Sequence, residues 1–221
     1  MSWESSALYY RLVNEGVRER LGGLHSASCV LASVDFATVA RLQSEGEWER
    51  AGELLAAEAR GLRAAGAECI VMCTNTMHKV ARHVEDAVDV PLLHLVDVTA
   101  AAVRSAGLDH VAVLGTRFTM EEPFYRERME LGGVRTVVPD EDGRALLNRV
   151  IYDELVLGRV LDDSRRAIAA VIERLAFSGA QGVVLGCTEI ELLVRPEDSP
   201  VPVFASTQLH AAAAVEFALE G

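Results

Sequence analysis

Gly66-Ala67-Glu68-Cys69-Ile70-Val71-Met72-Cys73-Thr74 is the stretch that decides the fold, because it occurs twice. With one extra residue it returns as Gly179-Ala180-Gln181-Gly182-Val183-Val184-Leu185-Gly186-Cys187-Thr188. Each copy opens on a glycine suited to stop a helix. It continues with a short apolar run that suits a buried parallel strand, and ends on Cys-Thr. A second matched pattern follows each copy, Val90-Pro91-Leu92-Leu93 and Val201-Pro202-Val203-Phe204, with the prolines 18 and 15 residues beyond the cysteines. The chain reads as two similar halves.

Outward from these copies, short β-branched runs alternate with longer stretches of helical period, which predicts an α/β protein with mostly parallel sheets. The first helix is expected from a Ser2 cap to Leu21, ended by Gly22 and Gly23. A strand over Cys29 to Val34, a helix over Glu47 to Ala65 and the strand Cys69 to Met72 follow. The later expectations are a strand at Leu92 to Leu95, a helix after Asp97, the strand Val111 to Leu114, a helix over Asp163 to Ala176, the strand Val183 to Leu185 and a last helix over Thr207 to Leu219. They divide the chain into a domain of residues 1–98 with 206–221, carrying Cys73, and a domain of residues 99–205, carrying Cys187.

A chain of 221 residues, 50% of them hydrophobic, can bury a sizeable core. Its net charge of −12, with no basic block to offset it, repels nucleic acid and anionic lipid. No apolar run approaches the roughly 20 residues of a membrane span, and the N-terminus lacks the pattern of an export signal, so a cytoplasmic protein is expected. Cys29, Cys69, Cys73 and Cys187 lack the paired spacing of a zinc site, and a reducing compartment disfavours disulfides. They are expected as free thiols, with Cys29 and Cys69 buried in strands. Trp3 and Trp48 are expected to pack, and His78 and His210 to be structural.

Ligands of open α/β sheets bind beyond the carboxyl ends of the strands, where Cys73 and Cys187 both fall. A following helix N-terminus lowers a thiol pKa, so either cysteine is expected to ionise near neutral pH. Inverting a stereocentre through a carbanion needs a base on one face and an acid on the other, and two halves that each deliver one thiol supply that pair. Thr74, Asn75, Thr76 and Thr188 would hold the substrate carboxylate as charge develops on it. A pyridoxal enzyme would need a Schiff-base lysine; the only lysine, Lys79, lies six residues past Cys73 with no glycine-rich phosphate loop before it.

Met1-Ser2-Trp3-Glu4-Ser5, Cys73-Thr74-Asn75-Thr76-Met77-His78-Lys79 and Gly186-Cys187-Thr188-Glu189-Ile190, in this order, resemble the aspartate/glutamate racemase family over essentially the whole chain. Val34-Asp35-Phe36, Gly46-Glu47-Trp48 and Leu114-Gly115-Thr116-Arg117-Phe118-Thr119-Met120 bring it closest to the broad-specificity amino-acid racemase branch. The resemblance implies two pseudo-symmetric Rossmann-like domains with the active site in the cleft between them. It implies Cys73 and Cys187 as the acid/base pair, and Met1, Gln43, Thr74, Asn75, Thr76, Thr188 and Glu189 as substrate contacts. It further implies an amino acid as substrate, no metal, no organic cofactor and a homodimer.

The chain departs from the family pattern in two ways. Aspartate-specific members carry an arginine at the position of Gln43 and a lysine near that of Arg159, so a substrate range broader than aspartate is expected. The family also has a first strand ending in Gly-Gly immediately before the segment matched by Met1 to Ser5. Its absence would leave neighbouring strand edges unpaired and the protein poorly stable. The alternatives are a non-catalytic or degenerate ligand-binding member that lacks that strand, and a thiol-dependent isomerase or decarboxylase of the same fold.

Overall fold

Ser2 opens the first helix. In the computed structural model, which describes residues 1–220, the Ser2 hydroxyl accepts the Ser5 N–H at 3.3 Å and Gly22 ends α1 (Trp3–Leu21) with a φ of 76°. The chain divides into two compact units. One comprises Met1–His94 with the stretch from His210, and the other Leu95–Leu209.

In the first unit α1 is followed by α2 (Phe36–Ser44), capped by the Asp35 carboxylate, and α3 (Trp48–Ala64). Then come β1 (Ile70–Val71), a 3-10 turn over Thr76–Val80, α4 (Ala81–Glu85) and β2 (Leu92–Leu93). The strands β1 and β2 run parallel, Ile70 opposite Leu92 and Val71 opposite Leu93. Ile70 and Leu92 join Val39, Leu42, Leu55, Met77 and Val84 in one core. Helices α3 and α4 approach closely because Gly52 has no side chain; a Cβ there would meet the His83 ring at 2.4 Å.

Four expectations fail in this unit. Cys69 is only half-buried and lies just before β1 rather than in it. Residues 29–34 form no strand, and Cys29, Val30 and Leu31 are exposed. Among the described residues β1 is paired with β2 alone, so no ladder reaches that segment, and an extended run without a backbone partner gains nothing from strand geometry. Trp3 lies on the outer face of α1 and is 68% exposed.

The second unit holds α5 (Leu95–Ser105), β3 (His110–Gly115), α6 (Arg117–Glu121), α7 (Pro123–Leu131), β4 (Arg135–Val137), α8 (Glu141–Asp153), α9 (Asp162–Phe177), β5 (Gly182–Gly186), α10 (Ile190–Leu193) and β6 (Val203–Ala205). The final helix, α11 (Ser206–Glu220), starts here, and its stretch from His210 belongs to the first unit. The parallel sheet has the order β4-β3-β5-β6. Its two central strands alternate between two cores. Ala112, Leu114, Val183 and Leu185 pack with Leu147, Ile151, Ile168 and Ile172 of α8 and α9, whereas Val111, Val113 and Val184 pack with Val96, Val103, Tyr125 and Met129 of α5 and α7. Helices on both faces explain why these strands are apolar throughout rather than alternating with polar residues.

The sequence repeat is also a repeat of hydrogen bonds. Ile70 N–H donates to Pro91 O at 2.9 Å, and Val183 N–H donates to Pro202 O at the same distance. Ala67 N–H reaches Leu62 O at 3.1 Å and Ala180 N–H reaches Leu175 O at 3.0 Å. Gly66 and Gly179 both adopt positive φ, 97° and 106°, which is why each copy begins with glycine. Residue by residue, β1 lies on β2 as β5 lies on β6.

Candidate active site

In the first unit the chain reverses sharply after β1, with Thr74 N–H donating to Met72 O at 2.7 Å. Cys73 sits in that reversal, its Sγ 3.9 Å from Val71 O, and its carbonyl accepts the Met1 ammonium at 2.9 Å. Thr74, Asn75 and Thr76 are buried beside it. Gln43, from α2, is buried as well, and its amide donates to Met77 Sδ at 3.0 Å. Met1, Gln43, Thr74, Asn75 and Thr76 thus gather around the turn that carries Cys73.

In the second unit Cys187 follows the last residue of β5. Its Sγ donates to Glu189 Oε2 at 2.9 Å, and Thr188 Oγ1 donates to the same oxygen at 2.6 Å. Gly186, the extra residue of the second copy, pairs with Gly115 across β3 and β5. A Cβ on Gly115 would meet Gly186 O at 2.9 Å, and the Thr119 methyl would lie 3.1 Å from a Cβ on either glycine. Glycine at both positions therefore lets Thr119 close over the strand ends that aim Cys187.

Neither thiol is poised to ionise, contrary to the expectation from sequence. Burial pushes Cys73 up to about 11, only partly opposed by the Met1 ammonium. Burial, followed by the Glu189 charge and hydrogen bond, holds Cys187 well above its usual 9, against the pull of the Glu189 and Ile190 N–H groups. Cys73 precedes a five-residue 3-10 turn and Cys187 a four-residue helix, and such short elements carry too small a dipole to outweigh desolvation.

Sequence reasoning missed two features. Glu191 on α10 accepts the Thr207 N–H at 2.8 Å, and burial raises its carboxyl to about 7, with Glu189 adding to the rise. A buried group of Tyr9, His78, His94 and His210 lies in the first unit. Their numbers are scattered from 9 to 210, so no local pattern reveals them, whereas Glu191 could be suspected from its place four residues past Cys187. Among the described residues no three or more His, Cys, Asp or Glu are grouped to hold a metal, and no helix is long and apolar enough to cross a membrane.

These features define a doubled α/β protein with a free thiol at the carboxyl end of a strand in each copy. The family model for Asp/Glu/hydantoin racemases matches residues 1–214, and the chain belongs to that family. A candidate Asp/Glu racemase from Yersinia pestis is 50% identical, with 99% of this chain and 95% of that one aligned at a TM-score of 0.93. An aspartate racemase homologue from Pyrococcus horikoshii is 32% identical, covering 98% and 94% of the two chains at a TM-score of 0.86. A glutamate racemase from Synechococcus is 32% identical over 142 residues, which are 63% of this chain and 51% of that enzyme. The chain thus spans about half the length of that relative. A glutamate racemase from Francisella tularensis, 13% identical with a TM-score of 0.62, shares the fold.

Proposed function

We propose that this protein is a cofactor-independent amino-acid racemase in which Cys73 and Cys187 exchange the substrate α-proton. The observation that carries the reading is the duplicated strand-end thiol, repeated to the hydrogen bond in a member of a racemase family. In one direction Cys187 Sγ first gives its proton to Glu189 Oε2. That oxygen is the acceptor within reach, 2.9 Å from Sγ, and it also accepts the Thr188 hydroxyl. The Cys187 thiolate then removes the α-proton, the electron pair of the broken C–H bond spreads into the substrate carboxylate, and the Cys73 thiol returns a proton to the opposite face. A thiol raised to about 11 is fully protonated at neutral pH, as the acid partner must be.

Substrate choice is proposed to be broad rather than strictly for aspartate, because Gln43 offers a neutral amide where a side-chain carboxylate would want a guanidinium. The test is incubation with single L-amino acids in deuterated water. Loss of the α-proton signal with appearance of the D-enantiomer is expected, abolished in Cys73→Ser and in Cys187→Ser, because a hydroxyl is too weak an acid for either role. Full racemisation in either variant would end the two-thiol mechanism. The one-sided pairing of β1 favours a second reading, a ligand-binding member without turnover. It predicts binding of an amino acid with no deuterium uptake.

A further inference from the structure

His78, which bonds the Cys73 turn, stands in a chain of four polar side chains drawn from four parts of the first unit: Tyr9 on α1, His78 on the 3-10 turn, His94 after β2 and His210 on α11. All are buried, with exposures of 3%, 4%, 7% and 0% in that order. The hydrogen bonds fix two ring tautomers. His78 Nδ1 lies 2.8 Å from Thr74 O, which can only accept, so Nδ1 carries the proton. His210 Nε2 lies 2.7 Å from Leu93 O and is protonated for the same reason, leaving Nδ1 to accept the Tyr9 hydroxyl at 2.8 Å. His78 packs edge-on against His94, with centroids 4.6 Å apart, and against His210 at 5.9 Å.

Four polar groups stand where leucine or phenylalanine would pack at lower desolvation cost, so their use calls for a reason beyond filling space. That reason is directional. The Thr74 peptide follows Cys73 directly, and its carbonyl, in a buried turn outside any regular ladder, is held by His78. We infer that His78, backed by His94 and the Tyr9–His210 pair, is the positioning residue that fixes the Cys73 turn and the direction of its thiol. The inference deepens the proposed reaction and rests on Cys73 being one of its two thiols.

The test is built to answer whether or not racemisation occurs. In the full chain carrying Cys29→Ser, Cys69→Ser and Cys187→Ser, Cys73 is the sole thiol, and its alkylation by iodoacetamide is followed against pH. Slow alkylation with a midpoint near 11 is expected. His78→Leu removes the donor to Thr74 O, frees the turn to water and should lower that midpoint towards 9, raising the rate at pH 8.5 by about tenfold or more. His78→Asn, whose amide can stand in for Nδ1–H, should stay within about threefold of the parent. An unchanged profile in a folded His78→Leu protein, or equal release by the Asn and Leu variants, overturns the inference. If His78→Leu does not fold, Tyr9→Phe decides: about threefold faster alkylation supports the device and an unchanged rate refutes it. Deuterium uptake by the chain with all four cysteines intact, measured alongside, separates failure of the reaction from failure of the positioning role.

Discussion

Glu191→Gln should remove one source of pH dependence from the stability of the protein. The carboxyl sits at about 7 against an ordinary 4.5, chiefly because burial penalises its charge. At about 1.36 kcal/mol per pH unit, that rise makes the native protein bind this proton about 3 kcal/mol more tightly than the unfolded chain does. The contribution is fully present below 4.5 and is lost as pH climbs through 7, because above that point the folded state holds a charge that the unfolded chain carries in water at no such cost. Glutamine keeps a carbonyl to accept the Thr207 N–H and cannot ionise. Any change in packing or amide satisfaction adds an offset independent of pH. Urea unfolding followed by circular dichroism at several values between pH 4.5 and 8 supplies the difference between variant and parent, in which all other titrations cancel. That difference should move in favour of glutamine by about 3 kcal/mol across the window. A difference that stays level would show that Glu191 is not desolvated as its surroundings imply.

Acid should act on the first unit in the opposite sense. Burial depresses His210 to about 4, so the native state resists a proton that the unfolded chain accepts below 6.5, and about 3 kcal/mol should be lost between 6.5 and 4. His78, which faces His94 and His210, is held well below 6.5 and adds to the loss; His210→Gln, which keeps a donor for Leu93 O, should flatten part of the profile in the same unfolding assay. Glu189→Gln should lower kcat for racemisation by about a hundredfold or more, since the Cys187 proton loses its acceptor, and a kcat within a few-fold of the parent would remove Glu189 from the mechanism. Within α3, Gly52→Ala should cost about 1 to 3 kcal/mol because its Cβ would overlap the His83 ring, whereas Gly61→Ala, with open space around it, should gain up to about 1 kcal/mol; thermal unfolding of the pair checks both.

The doubled unit was legible because each of its parts is a local signal: a positive-φ glycine, an apolar strand and a proline-led partner strand. Those signals survive without knowledge of the rest of the chain. Residues 29–34 have the apolar, β-branched look of a strand, yet strandedness is a property of a pair, and the partner is not encoded in the segment itself. The thiol environments misled for a related reason. Position after a strand was readable, but the lengths of the helices beyond, five and four residues, were not, and burial then outweighed the dipole. Tyr9, His78, His94 and His210 are joined only by folding, so single-sequence reasoning could treat each as structural and never see them as one group.

The two copies do not give their thiols equal company. Cys187 has a carboxylate oxygen at 2.9 Å, whereas Cys73 Sγ has a backbone carbonyl at 3.9 Å. Mirror-image amino acids have the same free energy in water, so under the proposed reaction the ratio of kcat/KM in the two directions is pinned at unity, whatever the protein does. The inequality between the thiols therefore cannot favour either hand when substrate is scarce. It can be expressed only in which proton arrangement the free protein prefers, and each arrangement accepts one hand. A chain built from two similar halves would then treat left and right alike at low concentration and saturate with them at different levels.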